Sequence, residues 1–249
     1  MSRRFLGNLI ATNRLRIDRD LHLSHRRKYI SAALLSQYRI TVPLIQKYAT
    51  GNLIDLGCGR MPYRPLIADR LTRYDSLDPR PQIPDVTFVA DIQDMSLIPD
   101  ATYDSAICLE VLEHIPNPFR AVAEIHRILK PTGMLIVSVP HLSRLHERPY
   151  DFFRFTRYGL QALFEGAGFE IVQIERRGGL FAFLSHQLST IGLGLTWSIP
   201  LIRHVAFFLN EWLLVRPSYF LDARLDRSGL FAMGYSCVVR KASGGLFSA

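Results

Sequence analysis

The sequence predicts an α/β domain built on a doubly wound parallel sheet. From position 52 onward, short apolar runs typical of buried strands alternate with patterns typical of helices. Repeated strand–helix units of this kind form parallel sheets. Of the 249 residues, 48% are hydrophobic and 11% are aromatic, which is enough for a sizeable core and excludes global disorder. We therefore expect one large domain, or one domain that carries an insertion.

Local signals predict the individual elements. Asn117 is placed to cap a helix that has Pro118 at its first position and ends before Pro131. Thr156 caps another helix, which ends at Gly166. Helical patterns also cover 21–48 and 63–71. The predicted strands are 53–56, 74–77, 86–89, 103–109, 134–139, 169–175 and 231–240.

Three carboxylates stand at the ends of successive predicted strands. Asp55 lies in the first strand, just before a turn in which Gly57 and Gly59 let a ligand approach the backbone. Asp78 ends the second strand and can accept both hydroxyls of a ribose, whereas Asp91 follows the third and can accept an adenine amino group. Asp55 suits the ammonium group of a sulfonium amino acid. An NAD oxidoreductase is disfavoured, because Asp55 would not help a pyrophosphate and no G-x-G-x-x-G pattern is present.

The stretch 52–172 resembles the class I S-adenosylmethionine (SAM)-dependent methyltransferases, particularly their type 11 group. The segments that carry this resemblance are LIDLGCG, SLDP, ADIQDM, CLEVLEHIPNPFRAVAEIHRILKPTGMLIVSVP and GLQALFEGAGFEIV. The resemblance implies SAM as the cofactor and a Rossmann-like, seven-stranded sheet whose last strand, 231–240, is antiparallel. It assigns cofactor binding to Asp55, Gly57, Cys58, Gly59, Asp78, Asp91 and Ile92, with Leu109 and Glu110 near the methionine end.

The glycine turn departs from the usual family pattern. Where many members have a third glycine, this chain continues with Arg60-Met61-Pro62-Tyr63. A related subset of the family has the form DLGCGxxPY, so we interpret the turn as a variant form. The same subset has a loop of the form HExPYDFxR, which matches residues 146–154 of this chain.

The loop that follows Pro140 is expected to face the methyl acceptor. We favour His146 as a general base, with Asp151 or Glu147 to orient it and Arg154 to hold an anionic group. The alternative is a structural lid whose charged side chains pair with one another.

An E-x-x-E-H pattern, formed by Glu110, Glu113 and His114, precedes this loop. Some relatives in quinone biosynthesis and small-RNA 3′-end methylation use the same pattern to hold Mg²⁺. However, an E-H pair after this strand is common in type 11 members with no known metal. We therefore predict no metal site.

A long apolar excursion separates the last two predicted strands. Residues 178–202 contain no Asp, Glu, Lys or Arg, but four glycines and Pro200 make them a poor membrane span. Residues 201–213 have the spacing of an amphipathic helix, which could lie in a membrane interface, cover the sheet or form a dimer contact. The predicted division is a basic helical segment (1–50), a SAM-binding domain (51–177 with 231–241) and a hydrophobic helical insertion (178–230).

The net charge of +8 is concentrated near the N-terminus. Residues 1–30 contain eight Arg and Lys residues, Arg3 and Arg4 among them, against two Asp. Together with the apolar insertion, this basic arm favours peripheral contact with an anionic membrane surface. The three cysteines lie far apart without metal or disulfide spacing, which favours a reducing compartment. We predict a cytoplasmic protein that associates peripherally with the inner face of the membrane.

The predicted function is SAM-dependent O-methylation of a glycan, a lipid-linked molecule or another small-molecule acceptor. The alternatives are an RNA or quinone-type methyltransferase, and a non-catalytic SAM-binding partner subunit suggested by the missing third glycine. The three retained carboxylates argue against the non-catalytic subunit. Nucleic acid is disfavoured as a partner, because the arginines are grouped at the N-terminus. The oligomeric state is left open.

Overall fold

The computed structural model of the protein describes residues 5–22, 24–226 and 228–243. Arg3 and Arg4 of the predicted basic arm lie outside the described residues. The strands are β1 (Asn52–Leu56), β2 (Arg73–Leu77), β3 (Tyr103–Leu109), β4 (Leu129–Pro140), β5 (Phe169–Arg177) and β6 (Gly234–Lys241). The α-helices are α1 (Phe5–Leu21), α2 (Ala32–Tyr48), α3 (Pro118–Ile128), α4 (Arg157–Gly166), α5 (Leu180–Thr196), α6 (Pro200–Leu209) and α7 (Arg216–Leu225).

The strands form one sheet in the order β2-β1-β3-β4-β6-β5. β1 pairs in parallel with β2 and with β3, and β3 pairs in parallel with β4. β6 is antiparallel to β4. The predicted α/β class and the antiparallel last strand are therefore confirmed. The strand order reverses between β1 and β3, and open α/β sheets leave a ligand-binding crevice at such a switch point.

The prediction of seven strands is not confirmed, because the described part of the chain contains six. The segment predicted as a strand at 86–89 forms only one isolated bridge, between Phe88 and Leu77. Side-chain hydroxyls explain the difference. The Ser76 N–H donates to Thr87 Oγ1, and the Thr87 N–H donates to Ser76 Oγ, each over 3.1 Å. The backbone ladder is limited to Phe88, whose N–H donates to the Ser76 carbonyl and whose carbonyl accepts the Asp78 N–H. Beside it, the hydroxyl bonds take the place of further backbone bonds.

Two predicted helices are also shorter or broken. The segment 63–71 forms two 3-10 turns, Arg64–Leu66 and Ala68–Arg70, because Ile67 between them leaves the helical region with φ −139°. Within 21–48, a 3-10 turn (His25–Tyr29) precedes α2.

The chain divides into two compact units. The helical unit consists of Met1–Arg39 and Arg177–Met233, and the sheet unit consists of Ile40–Arg176 and Gly234–Ala249. The three-part division predicted from the sequence stays a prediction.

The interior of the sheet unit is apolar. Leu44 and Ile45 of α2 pack in one cluster with Leu53, Ile107 and Ile136 from three neighbouring strands. The helices α3 and α4 start at the predicted caps, since the Asn117 and Thr156 side chains accept backbone hydrogen bonds three residues onward. This core fixes the carboxyl ends of β1 to β4, where the site lies.

In the helical unit, the N-terminus of one helix is capped by a carboxylate of another helix. Gly179 gives α5 no side-chain cap of its own. Asp222 of α7 instead accepts hydrogen bonds from the N–H groups of Phe181 and Ala182, over 2.8 and 3.0 Å. Among the described residues, no helix is both long enough and apolar enough to cross a membrane.

Candidate functional site

The predicted cofactor residues meet at the carboxyl edge of the sheet, around the switch point between β1 and β3. Asp55 lies in β1, Asp78 follows β2 and Glu110 follows β3. Parallel pairing places Asp55 beside Ser76 of β2 and Ile107 of β3. The alternation of strands and helices therefore brings together carboxylates that are far apart in the sequence.

The glycine turn is held against the end of β2. The N–H groups of Gly57 and Cys58 both donate to the Leu77 carbonyl, over 2.8 and 3.1 Å. Gly57 has φ +68°, and a Cβ there would lie 2.4 Å from Val111 Cγ2. Both the backbone angle and the packing thus require glycine at this position.

Gly59 meets a different constraint. Its φ of +53° again favours glycine, but a Cβ there would have no atom within 4 Å. Its N–H donates to Asp78 Oδ2 over 2.9 Å, and the Arg80 N–H donates to the other oxygen over 2.8 Å. The Asp78 carboxylate therefore joins the glycine turn to the end of β2, beside open space above Gly59.

Asp55 is a buried carboxyl with a perturbed pKa. It is 4% exposed and accepts a hydrogen bond of 2.5 Å from the Tyr74 hydroxyl. Burial raises the pKa of Asp55 to about 7, the Tyr74 hydrogen bond opposes the rise, and the nearby Asp78 charge adds to it. A cationic ligand group beside Asp55 would favour its ionised form.

Further predicted cofactor residues are Cys58 of the glycine turn, and Asp91 with Ile92 on the segment after Phe88. Burial raises the pKa of the Cys58 thiol to about 12, with Asp55 and Asp78 adding to the rise, so this thiol is neutral. Asp91 is exposed and accepts a hydrogen bond of 2.8 Å from the Gln93 N–H, whereas Ile92 beside it is buried.

Leu109 and Glu110 lie at the end of β3. Glu110 has φ +56°, and its N–H donates to the Ser138 carbonyl of β4 over 2.8 Å. Its carboxylate accepts a second bond of 2.8 Å from the Ser138 hydroxyl. The two glutamates of the E-x-x-E-H pattern therefore have different partners. Glu110 bonds to Ser138 of β4, whereas Glu113 lies beside His114 and His146.

These residues fit SAM. The open space over Gly59 would admit a ligand to the backbone, and a buried carboxyl at Asp55 suits an ammonium group. Asp78 retains acceptor capacity beside the hydrogen bonds that it makes, since a carboxylate has about four lone-pair sites. The binding roles assigned to the individual residues stay predictions.

The predicted acceptor loop is organised by Asp151 and Arg154. Arg154 donates to both oxygens of Asp151, over 2.6 and 2.7 Å, and to the carbonyls of Arg144 and Phe153. This pairing lowers the pKa of Asp151 to about 2. The Asp151 carboxylate also accepts a hydrogen bond of 2.9 Å from the backbone N–H of His146. The structure therefore brings His146, Asp151 and Arg154 together, and Arg154 uses several of its donors within the loop.

A buried carboxylate lies between two histidines beside this loop. Glu113 is fully buried, with Oε1 3.6 Å from His114 Nε2 and 3.9 Å from His146 Nε2. On the other side of the ring, His146 Nδ1 lies 3.4 Å from Asp151 Oδ2. Burial lowers the pKa of His146, with Asp151 opposing and His114 adding to the shift. The imidazole is therefore neutral around pH 7.

The same three side chains could hold a cation. One ligand atom from each of Glu113, His114 and His146 lies within 4.8 Å of the others. A carboxylate with two imidazoles suits a transition metal ion better than Mg²⁺. The absence of a metal site, predicted from the sequence, stays a prediction.

Several residues of the site were not predicted from the sequence: Tyr74, Ser138 and the pairing of Glu113 with His146. For Tyr74 the one available signal was its place in a predicted strand next to the strand of Asp55. Arg80 was not predicted either; its guanidinium lies 4.2 Å from the ring centroid of Tyr150 and joins the loop after β2 to the loop after β4.

The fold and the site define an α/β domain that has buried and exposed carboxylates at the switch point of its sheet and a histidine-containing loop after β4. A family model described as a methyltransferase domain matches residues 23–174, more than half of the chain. A probable SAM-dependent methyltransferase from Mycolicibacterium smegmatis is 30% identical over 146 residues, covering 51% of this chain and 55% of the relative. A ubiquinone biosynthesis O-methyltransferase from Xanthomonas oryzae is 25% identical over 103 residues, covering 36% and 43%. The chain thus spans about half the length of the curated relatives that it matches.

Among solved structures, the cyclase SpnF has a TM-score of 0.57 at 19% identity, covering 83% of this chain and 81% of SpnF. This likeness shows a shared fold. The chain belongs to the class I SAM-dependent methyltransferases, and SAM is its cofactor.

Proposed function

We propose that this chain transfers the SAM methyl group to a hydroxyl oxygen of an acceptor bound against the loop after β4. The observation that carries the proposal is the position of the His146 imidazole between the carboxylates of Asp151 and Glu113. Burial lowers the pKa of this imidazole, which favours its neutral form. SAM, when bound, supplies a methyl group on a positively charged sulfur, so the protein has to align the acceptor and remove its proton.

His146 accepts that proton in this proposal. Nδ1 faces Asp151, so Nε2 is the nitrogen that takes the proton from the hydroxyl group. Both neighbouring carboxylates stabilise the resulting imidazolium. Asp151 does so without being protonated itself, because Arg154 lowers its pKa to about 2.

Ionisable groups continue from Glu113 towards solvent. Its Oε1 lies 3.6 Å from His114 Nε2, and that nitrogen lies 4.0 Å from the exposed carboxylate of Glu147. These distances are longer than direct hydrogen bonds, so a proton relay along these groups requires bridging water molecules.

Exposed aromatic side chains support a glycan, lipid-linked or other ring-containing acceptor. Tyr150, Phe152 and Phe153 lie in the acceptor loop and are each between 36% and 45% exposed. Aromatic faces of this kind stack on sugar rings or hold apolar groups, and their position beside His146 suits a hydroxyl-bearing acceptor.

A quinone-type acceptor is the second candidate. The similarity to a ubiquinone biosynthesis O-methyltransferase favours it, and the same aromatic side chains would stack on a phenolic ring. Incubation with labelled SAM and parallel sets of lipid-linked glycans and dihydroxylated aromatic acceptors separates the two, because mass spectrometry identifies which set gains a methyl group.

Replacement of the proposed base tests the mechanism. We expect His146→Ala to reduce turnover by about a hundredfold or more, while calorimetry with S-adenosylhomocysteine shows unchanged affinity. The exposed His25 provides a matched control, and His25→Ala should retain full turnover. The rate of the unmodified enzyme should fall only at a pH below 6.5, since the pKa of His146 is lowered from that value. Full turnover by His146→Ala, or binding of SAM without turnover on either acceptor set, would contradict the proposal.

A further inference from the structure

The two units differ in charge and in exposed apolar surface. The helical unit contains 14 of the 30 Lys and Arg residues but only 5 of the 22 Asp and Glu, so it has a formal net charge of +9 and the sheet unit has −1. Among the described residues, 17 of the 27 exposed large hydrophobic side chains lie in this smaller unit. A surface that is both basic and apolar matches an anionic membrane interface.

The interior of the helical unit is correspondingly polar. Of its buried described residues, 13 are polar or charged and 10 are apolar, whereas the sheet unit has 8 and 38. A domain that folds in water places its apolar side chains inside. The helical unit therefore has much of its apolar surface on the outside.

Helix α5 shows this inversion within a single element. Ser185, His186 and Ser189 are buried, whereas Leu184 and Leu188 are half exposed. Helix α5 also packs closely through small residues. A Cβ on Gly194 would lie 2.9 Å from Ile10 of α1, and the buried Asn13 of α1 donates to the Gly194 carbonyl over 2.9 Å.

The next two helical segments continue the exposed apolar face. It includes Leu201, Ile202, Val205, Phe208 and Leu209 of α6, followed by Trp212 and Leu213 of the π-helix Asn210–Val215, each at least 45% exposed. Polar side chains occupy the inner side here too. The buried Asn210 donates to the carbonyls of Tyr29 and Ile30, and the buried Glu211 accepts from Arg216. We refer to the exposed side chains of Leu201–Leu213 as the apolar face.

A basic cavity opens beside this face. Its volume is 210 Å³, and Arg26, Arg203 and His204 are among the residues that line it. Asp20, the acidic residue of the cavity, accepts a hydrogen bond of 3.0 Å from the Trp197 indole N–H. The Arg26 guanidinium lies over the Phe207 ring, 4.5 Å from its centroid. Two guanidinium groups in a cavity of this size suit the phosphate of a lipid headgroup.

We propose that the helical unit binds the surface of an anionic phospholipid bilayer, with the apolar face in the interface and phosphate groups at Arg26 and Arg203. The charge of the unit favours a bilayer over a second copy of the chain, because two surfaces of charge +9 would repel each other. The proposal is independent of the proposed reaction, since vesicle binding requires no methyl transfer.

Sedimentation of the full chain with vesicles tests the proposal. We expect binding to vesicles of phosphatidylcholine with phosphatidylglycerol at low salt, and much weaker binding to phosphatidylcholine alone. Val205→Ser with Phe208→Ser should weaken binding by about tenfold or more. The matched control is Leu97→Ser with Phe119→Ser, which removes apolar side chains that are even more exposed from the sheet unit and should not change binding.

Two further measurements identify the surface and the charges. Trp212 is 51% exposed and the other tryptophan, Trp197, is buried, so the fluorescence should shift to shorter wavelength on binding and Trp212→Phe should abolish the shift. Arg26→Gln with Arg203→Gln should remove the preference for phosphatidylglycerol. Light scattering on the same samples monitors self-association.

Three outcomes would overturn the proposal. The first is no binding to phosphatidylglycerol vesicles at low salt. The second is equal loss of binding in the two pairs of serine variants. The third is a stable dimer that Val205→Ser with Phe208→Ser dissociates, which would assign the apolar face to a second copy of the chain. Affinity for S-adenosylhomocysteine, measured on each variant, reports whether the sheet unit is intact.

Discussion

Replacement of Asp55 by Asn should make the protein more stable and a weaker binder of SAM, and both effects follow from the burial of the carboxyl. Its pKa of about 7 in the folded protein compares with an ordinary value of 3.8. At about 1.4 kcal/mol per pKa unit, ionisation of the folded protein at this position costs about 4 kcal/mol. Asparagine carries no charge at any pH and keeps a carbonyl oxygen for the Tyr74 hydroxyl.

The gain in the free energy of unfolding of Asp55→Asn should increase with pH. Below pH 3.8 the folded and unfolded chains both hold the proton, so the unmodified protein suffers no penalty. Between 3.8 and about 7 the unfolded chain loses the proton while the folded chain keeps it, so stability falls as pH rises. The penalty is complete above pH 7. We therefore expect Asp55→Asn to gain up to about 4 kcal/mol at pH 8 and less than half of that at pH 5.

Urea denaturation followed by circular dichroism at the two pH values measures the gain, and calorimetry with S-adenosylhomocysteine measures the loss of affinity. Asp69→Asn is the matched control, because Asp69 is exposed and its replacement should change stability by less than about 0.5 kcal/mol. The reasoning is refuted if Asp55→Asn is less stable than the unmodified protein at pH 8, or if its gain is the same at both pH values.

Two further predictions concern the glycine turn and the histidine cluster. Gly57→Ala should lower stability by roughly 2 kcal/mol or more, since it combines a positive φ with a clash against a neighbouring side chain, whereas Gly59→Ala should cost about 1 kcal/mol and mainly reduce affinity for S-adenosylhomocysteine. Thermal melts and calorimetry on the two variants check this, and a larger stability loss for Gly59→Ala would contradict it. Treatment with EDTA should leave turnover unchanged, whereas a loss that Mn²⁺ or Mg²⁺ restores would mean that Glu113, His114 and His146 hold a metal ion.

The carboxylates at the strand ends could be predicted from the sequence, because parallel strands bring their carboxyl ends to one edge whatever their exact register. The strand predicted at 86–89 could not be judged in the same way. Propensity favours a strand there, and only the structure reveals that the backbone ladder stops at Phe88, with hydrogen bonds to the Ser76 and Thr87 hydroxyls beside it.

The acceptor side was predictable in composition but not in arrangement. The loop motif indicated His146 and Asp151, yet the contact of Glu113 with two histidines depends on how the turn after β3 is oriented.

The helical unit illustrates a related limit of prediction from sequence. A helical pattern in the sequence separates an apolar face from a polar one, but it does not say which face points inward. In α5 the inward face is the polar one, with Ser185 and His186 buried.

The ends of the long excursion between β5 and β6 are joined to each other. The Met233 N–H donates to the Arg177 carbonyl over 2.8 Å, directly before β6 begins. Residues 178–232 therefore form one long connection between two strands that are neighbours in the sheet, β5 and β6. Since the entropy of closing a loop changes only slowly with its length, this segment can lengthen, shorten or be exchanged while the strand order persists. This segment can thus diverge in sequence and length without rebuilding the cofactor site.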